Sequence, residues 1–253
     1  PAVPTLSALL ELHDPVGWLR ETPGEAVCAL ADLSPTDDPE ALRLLAPADL
    51  QAIKAAGVTF ARSMLERVIE ERAGGDLTRA EEIRTKVQAM IGDSLRGLVP
   101  GSEKAMQVKA LLQAEGMWSQ YLEVGIGPDA EVFSKCQPMA AVGWGATVGL
   151  HPISQWNNPE PEIVLAVSSK GHILGATLGN DVNLRDVEGR SALLLSKAKD
   201  NNASCAIGPF IRMFDGQYTI DSIRNTDLSM AVHGPEGFVM QGSSSLSQIS
   251  RDP

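Results

Sequence analysis

Two glutamates, Glu160 and Glu162, stand one residue apart directly ahead of the apolar run IVLAV at 163–167. If that run is a strand, its side chains alternate and both carboxylates point to one face. Side by side, each raises the other's pKa unless a cation lies between them. A third carboxylate, Asp181, follows a second candidate strand at 173–178. Lys170-Gly171 reads as the tight turn between the two strands, which returns the chain and brings Asp181 beside the start of the first. Three carboxylates with room for water suit a hard divalent ion, Mg2+, with Mn2+ or Ca2+ as substitutes. Spacing alone leaves a plainer alternative open, in which Glu160 and Glu162 are solvated charges that protect a strand edge from aggregation.

The elements that would position these groups change character near residue 120. Before it, helical periodicity dominates. The run 49–73 places Leu50, Ile53, Phe60, Met64, Leu65, Val68 and Ile69 mostly at three-and-four spacing, with Gly57 as a bend or break. Thr78 and Glu81 fit a capping box, and Ser102 fits an N-cap. After residue 120 come strand signals. They include 206–213 and the pair 228–232 and 238–240, which flank the turn Gly234-Pro235-Glu236-Gly237. The stretch 183–199, with Leu193, Leu194 and Leu195, reads as one short helix. The expected class is α+β: a mainly helical region over 1–120, then a β-rich catalytic domain over 121–253.

Composition narrows the functions. The chain has 253 residues, 43% of them hydrophobic, so it can bury a core. Its formal charge of −11 argues against nucleic acid or an anionic membrane surface as partner. No apolar run approaches the roughly 20 residues of a spanning helix, and no basic segment precedes the first apolar residues as in a secretory signal. The three cysteines are an odd, dispersed set without a CxxC, which points to a reducing cytoplasm. Cys28, Cys136 and Cys205 then read as thiols. The four histidines form no HxxxH pair, so carboxylates must carry any metal. Gly125-x-Gly127 and Gly143-x-Gly145 do not open the helix a dinucleotide fingerprint requires, and no GxSxG elbow exists.

Further motifs follow in order: NDVNLRD at 180–186, then Lys199, then Gly208-Pro209-Phe210. Together with Glu160-x-Glu162 they resemble the fumarylacetoacetate hydrolase family. Its members carry an E-x-E pair entering a strand, an NDV(S/T)xRD-like motif further on, and a lysine ahead of a GP strand. The segments YLEVGIGPDAEVF (121–133), WNNPEPE (156–162) and KAKDNNASCAIGPF (197–210) are similar to its sugar-acid branch.

The resemblance implies a mixed β-sheet roll that assembles as a homodimer or dimer of dimers and continues past the point matching Pro253. The C-terminal part of the domain is therefore expected to lie outside this chain. It implies Glu160, Glu162 and Asp181 as metal ligands and Lys199 facing the same pocket. There Lys199 would stabilise an enolate, pair with the substrate carboxylate, or exchange protons if its pKa is depressed. It implies Glu131 as general acid/base acting through water, with Arg185 and Asp186 as a pair orienting Asp181, or with Arg185 reaching the substrate. The small-molecule partner is a 2-keto-3-deoxy acid. The implied reaction is Mg2+-dependent dehydration of a pentonate of the D-xylonate or L-arabonate series to 2-oxoglutarate semialdehyde. The alternative is an acylpyruvate-type C–C hydrolase or an oxaloacetate decarboxylase on the same site. The family's hydrolases use a His-Glu pair on a lid, and here neither His151 nor His172 stands in such a position, which favours lyase chemistry.

Overall fold

The computed structural model describes residues 3–36, 38, 40–57, 68–69, 72–73, 76–91, 98–249 and 251. The chain divides into two units, one made of 1–55 and 133–244, the other of 56–132 and 245–253.

The second unit is built on helices. Helix Leu77–Ile91 starts at Asp76, whose Oδ1 accepts from the N–H groups of Thr78 and Arg79 at 2.9 and 3.1 Å. The cap thus lies two residues before Thr78, the position the sequence pattern favoured. Helix Glu103–Ala114 starts as expected at Ser102, whose side chain accepts from Ala105 N. Helix Gln120–Ile126 is capped by Ser119. Their apolar stripes, with Val87, Val108, Leu112, Leu122 and Ile126, close on Val68 and Ile69 in one core. Each fully buried Leu or Ile of this kind stabilises the fold by about 1.5–3 kcal/mol.

The first unit carries the sheet. Strands β1 (Ile53–Ala56) and β2 (Val132–Cys136) pair in a short ladder. Ile53 therefore lies in a strand, although the apolar spacing of 49–73 suggested a helix there. Residues 58–67 of that run lie outside the described residues. The main sheet has the order β3-β8-β6-β5, with β3 Ala141–Val142, β5 Pro161–Val167, β6 Ile173–Asp181 and β8 Cys205–Met213. β3 runs parallel to β8, and the other neighbours are antiparallel, so the sheet is mixed. The class is α+β, as expected.

The β5–β6 hairpin turns through Gly171, whose φ of +79° is a region L side chains avoid. Two more strands, β4 (Asn157–Asn158) and β7 (Asn183–Leu184), form a two-residue antiparallel ladder. β9 (Asp227–His233) and β10 (Val239–Ser245) pair as the second expected hairpin. The single helix expected over 183–199 is broken into the strand β7, a helix Arg185–Glu188, a 3-10 turn Ala192–Leu194 and a helix Leu195–Lys199. Ser191 makes the break by capping Leu193 N at 3.2 Å. Free thiols of Cys136 and Cys205 pack together with Ile207 under the sheet.

Candidate metal centre

The hairpin register sets the carboxylates. Glu162 lies opposite Gly179, and Asp181 N donates to Glu160 O at 2.9 Å. Strand alternation then turns Glu160, Glu162 and Asp181 to one face, and each offers an oxygen within 4.8 Å of the others. Gly179 keeps that face open: a Cβ there would meet Val164 Cγ2 at 2.5 Å.

Two lysines stand against the three acids. Lys199, at the end of its helix, places Nζ 3.0 Å from Asp181 Oδ2 and in contact with Glu160 Oε2. Burial works against its charge, but the Asp181 and Glu160 carboxylates outweigh it and hold the Lys199 pKa above its usual value. A lysine held charged in this way suits the charge-pairing roles expected of Lys199. Phe133 lies with its ring centroid 5.8 Å from the same Nζ.

The second lysine is Lys135, on β2. It is 1% exposed, lies 2.8 Å from Asp181 Oδ1, and donates to Val182 O at 2.9 Å and to Lys199 O. Sequence reading passed over it. The available signal was alternation in VFSKC, which turns Lys135 to the same face as Phe133.

Glu160 Oε1 accepts from two amides, Asn183 Nδ2 at 3.1 Å and Asn158 Nδ2 at 3.3 Å. Asn183 Nδ2 also donates to Glu188 Oε2 at 2.6 Å, and Glu188 is 3.4 Å from Arg185. Arg185 thus reaches the centre through Glu188, Asn183 and Glu160. Asp186 does not pair with it. Asp186 accepts instead from Ser154 Oγ and Gln155 N at 2.7 and 2.9 Å. The expected Arg185–Asp186 pair orienting Asp181 is replaced by these two separate attachments, because the short helix Arg185–Glu188 puts Arg185 on Glu188, three residues on. Glu131 belongs to the other unit, where its carbonyl accepts from Gly57 N at 2.9 Å.

Does this set fit a divalent ion? All ligand atoms are carboxylate oxygens, the choice of hard cations. Asp181 Oδ1 is buried without an aligned hydrogen bond, its approach to Lys135 being an off-axis ion contact. Among the described residues no donor bonds to the Glu162 carboxylate. Burial, then the negative charges of Asp181 and Glu160, push the Glu162 pKa up to about 7. Crowded acids with open lone pairs are what an ion would relieve, and the residues fit one.

No family model matches the chain. Two curated relatives are sugar-acid dehydratases. The 2-dehydro-3-deoxy-D-arabinonate dehydratase of Saccharolobus solfataricus is 32% identical over 124 residues, 48% of this chain and 40% of the relative. The probable 2-keto-3-deoxyxylonate dehydratase of Haloferax volcanii is 37% identical over 99 residues, 39% of this chain and 34% of the relative. The matches thus span less than half the length of either relative. A solved structure of 2-keto-3-deoxy-D-arabinonate dehydratase complexed with magnesium and 2,5-dioxopentanoate is 30% identical, with a TM-score of 0.48 over 53% of this chain and 46% of that one.

Proposed function

We propose that this protein dehydrates a 2-keto-3-deoxy-pentonate to 2-oxoglutarate semialdehyde with the help of Mg2+. The observation that carries this reading is the convergence of Glu160, Glu162 and Asp181 within 4.8 Å, with the Lys199 ammonium beside two of them. The two curated dehydratases support the same substrate class. Charge supports it too. Two lysines against three carboxylates leave one excess negative charge when all are ionised, which a divalent ion turns into one excess positive charge. That suits the single carboxylate of a keto acid.

Glu160, Glu162 and Asp181 would hold the ion. Bound there, Mg2+ would supply Lewis-acid polarisation of the 2-keto group and so acidify the C3 protons. Lys199, kept charged by its neighbours, pairs with the substrate carboxylate or with the negative charge that develops on the keto oxygen. A base takes the C3 proton and an acid returns one to the departing C4 hydroxyl, which leaves as water; the family resemblance alone assigns both roles to Glu131, acting through water. A C5 proton then moves to C3 to give the C4=C5 enol, and transfer of the enol O–H proton to C4 gives the aldehyde. The reaction is redox-neutral. Lys135 and the Asn158–Asn183 pair hold the acids in place.

The expected homodimer or dimer of dimers belongs to this proposal, as does a cytoplasmic location, which suits the free cysteines. Among the described residues no helix is long and apolar enough to cross a membrane.

The test is an assay of purified protein on 2-keto-3-deoxy-D-xylonate and its L-arabonate relative, with Mg2+ and with EDTA, product being trapped by an NAD(P)-linked semialdehyde dehydrogenase. Metal-dependent semialdehyde that disappears in Glu160→Ala is expected. Cleavage of an acylpyruvate without dehydration would overturn the reading.

A further inference from the structure

Asn158 and Asn183 face each other directly across the β4–β7 ladder. Both turn Nδ2 to the same atom, Glu160 Oε1, at 3.3 and 3.1 Å. A carboxylate oxygen has two lone pairs, so two amide donors saturate it. The other oxygen, Oε2, stays with Lys199 at the carboxylate cluster.

The orientation of both amides is fixed. Asn183 is fully buried, and its Nδ2 protons are divided between Glu160 and Glu188. Turning either amide over would set its Oδ1 against Glu160 Oε1. Both Oδ1 atoms are instead left buried with no partner among the described residues. Such orphaned acceptors are unfavourable, so the acceptors facing Nδ2 decide the geometry: Glu160 and Glu188 for Asn183, Glu160 and the Pro159 carbonyl at 3.3 Å for Asn158. The clamp also adds no charge, so it shapes Glu160 without weakening the field that draws a cation.

We infer that Asn158 and Asn183 are positioning residues that restrict Glu160 to one ligating oxygen and thereby select a small octahedral ion over a larger one. This rests on the metal reading proposed above. Mg2+ takes single carboxylate oxygens at short, near-ideal octahedral positions, whereas Ca2+ accepts more oxygens and bidentate carboxylates. Capping Oε1 denies Ca2+ the second oxygen of Glu160 and costs Mg2+ nothing. Removal of either amide frees Oε1 to turn toward the ion.

The experiment is calorimetric titration of the purified protein with MgCl2 and with CaCl2, for the wild type, Asn158→Ala and Asn183→Ala. Asn158→Ala lies at the less buried position and keeps the test open should Asn183→Ala fold poorly. The ratio of the two dissociation constants is expected to shift toward Ca2+ by about tenfold or more in each folded variant, the scale on which residues behind a metal ligand act. Infrared difference spectra should show the Glu160 carboxylate changing from monodentate to bidentate in the Ca2+ form of the variants. Equal weakening of both ions, or no change, would overturn the clamp while leaving the metal centre standing. A wild type that binds neither ion would remove both.

Discussion

Lys135 Nζ lies 2.8 Å from Asp181 Oδ1, and neither residue is more than 6% exposed. The lysine is also tied to the carbonyls of Val182 and Lys199, so one ammonium fastens β2 to the end of β6 and to the helix that presents Lys199. Removing it leaves Asp181 Oδ1 buried without its cation, although Lys199 stays 3.0 Å from Oδ2. Lys135→Met is therefore expected to lower unfolding free energy by about 1–3 kcal/mol, the cost of a buried polar group left without its partner. Urea unfolding checks this; a loss below about 1 kcal/mol would mean that Asp181 does not depend on Lys135 for its counter-charge.

Proton and metal compete for Glu162. Its folded pKa of about 7 lies above the ordinary 4.5. The stability it contributes is thus fully present below about pH 4.5 and is lost as pH rises through about 7. The metal-free protein should lose thermal stability between those values, and Mg2+ should restore it. Apparent Mg2+ affinity should climb by up to about tenfold per pH unit and level off above about 7. Melting curves with and without Mg2+ across this range provide the check, and a flat affinity profile would remove Glu162 from the ligand set.

Lys199 and Glu131 can be told apart from the ligands. Lys199→Met should lower kcat by about 10²–10³-fold, as loss of a charge-stabilising donor does. Glu131→Gln should lower kcat by about 10²–10⁴-fold, as loss of a general acid/base does. Titration should find Mg2+ still bound in both. If Glu131→Gln instead abolishes Mg2+ binding, Glu131 is a ligand and not the base.

Asp76, and not Thr78, carries the start of helix Leu77–Ile91. Asp76→Ala should cost about 1 kcal/mol of stability. Thr78→Ala should cost less, since the Thr78 side chain caps no N–H. Thermal melts of the two variants read this directly, and the reverse order would return the cap to Thr78.

That last contrast shows how far the sequence could be read. Local rules succeeded where the answer is local. Glu160, Glu162 and Asp181 follow from the two-residue period of strands and one turn at Gly171. Ser102 follows from capping chemistry. The rules failed where a neighbour distant in sequence decides. Ile53 fits a helical stripe but pairs in a strand with β2. Asn183 reads as the start of a helix, and nothing marks Asn158, until β4 and β7 lie side by side. Nothing in the sequence but the alternation of VFSKC marks Lys135 until β2 places it beside Asp181. Arg185 and Asp186, adjacent in sequence, part because the short helix sends them in different directions.

The β5–β6 hairpin has a consequence for how the centre comes into being. All three acids sit at the open end of one pair of adjacent arms, joined by a single tight turn. Closing so short a loop costs little chain entropy, and contacts of this kind form early. On that ground the acids are expected to gather before the strand that brings Lys135 pairs. An ion captured at that stage would act as a clasp across the hairpin mouth, so metal supply would bear on how quickly and how faithfully this chain matures, and not on turnover alone.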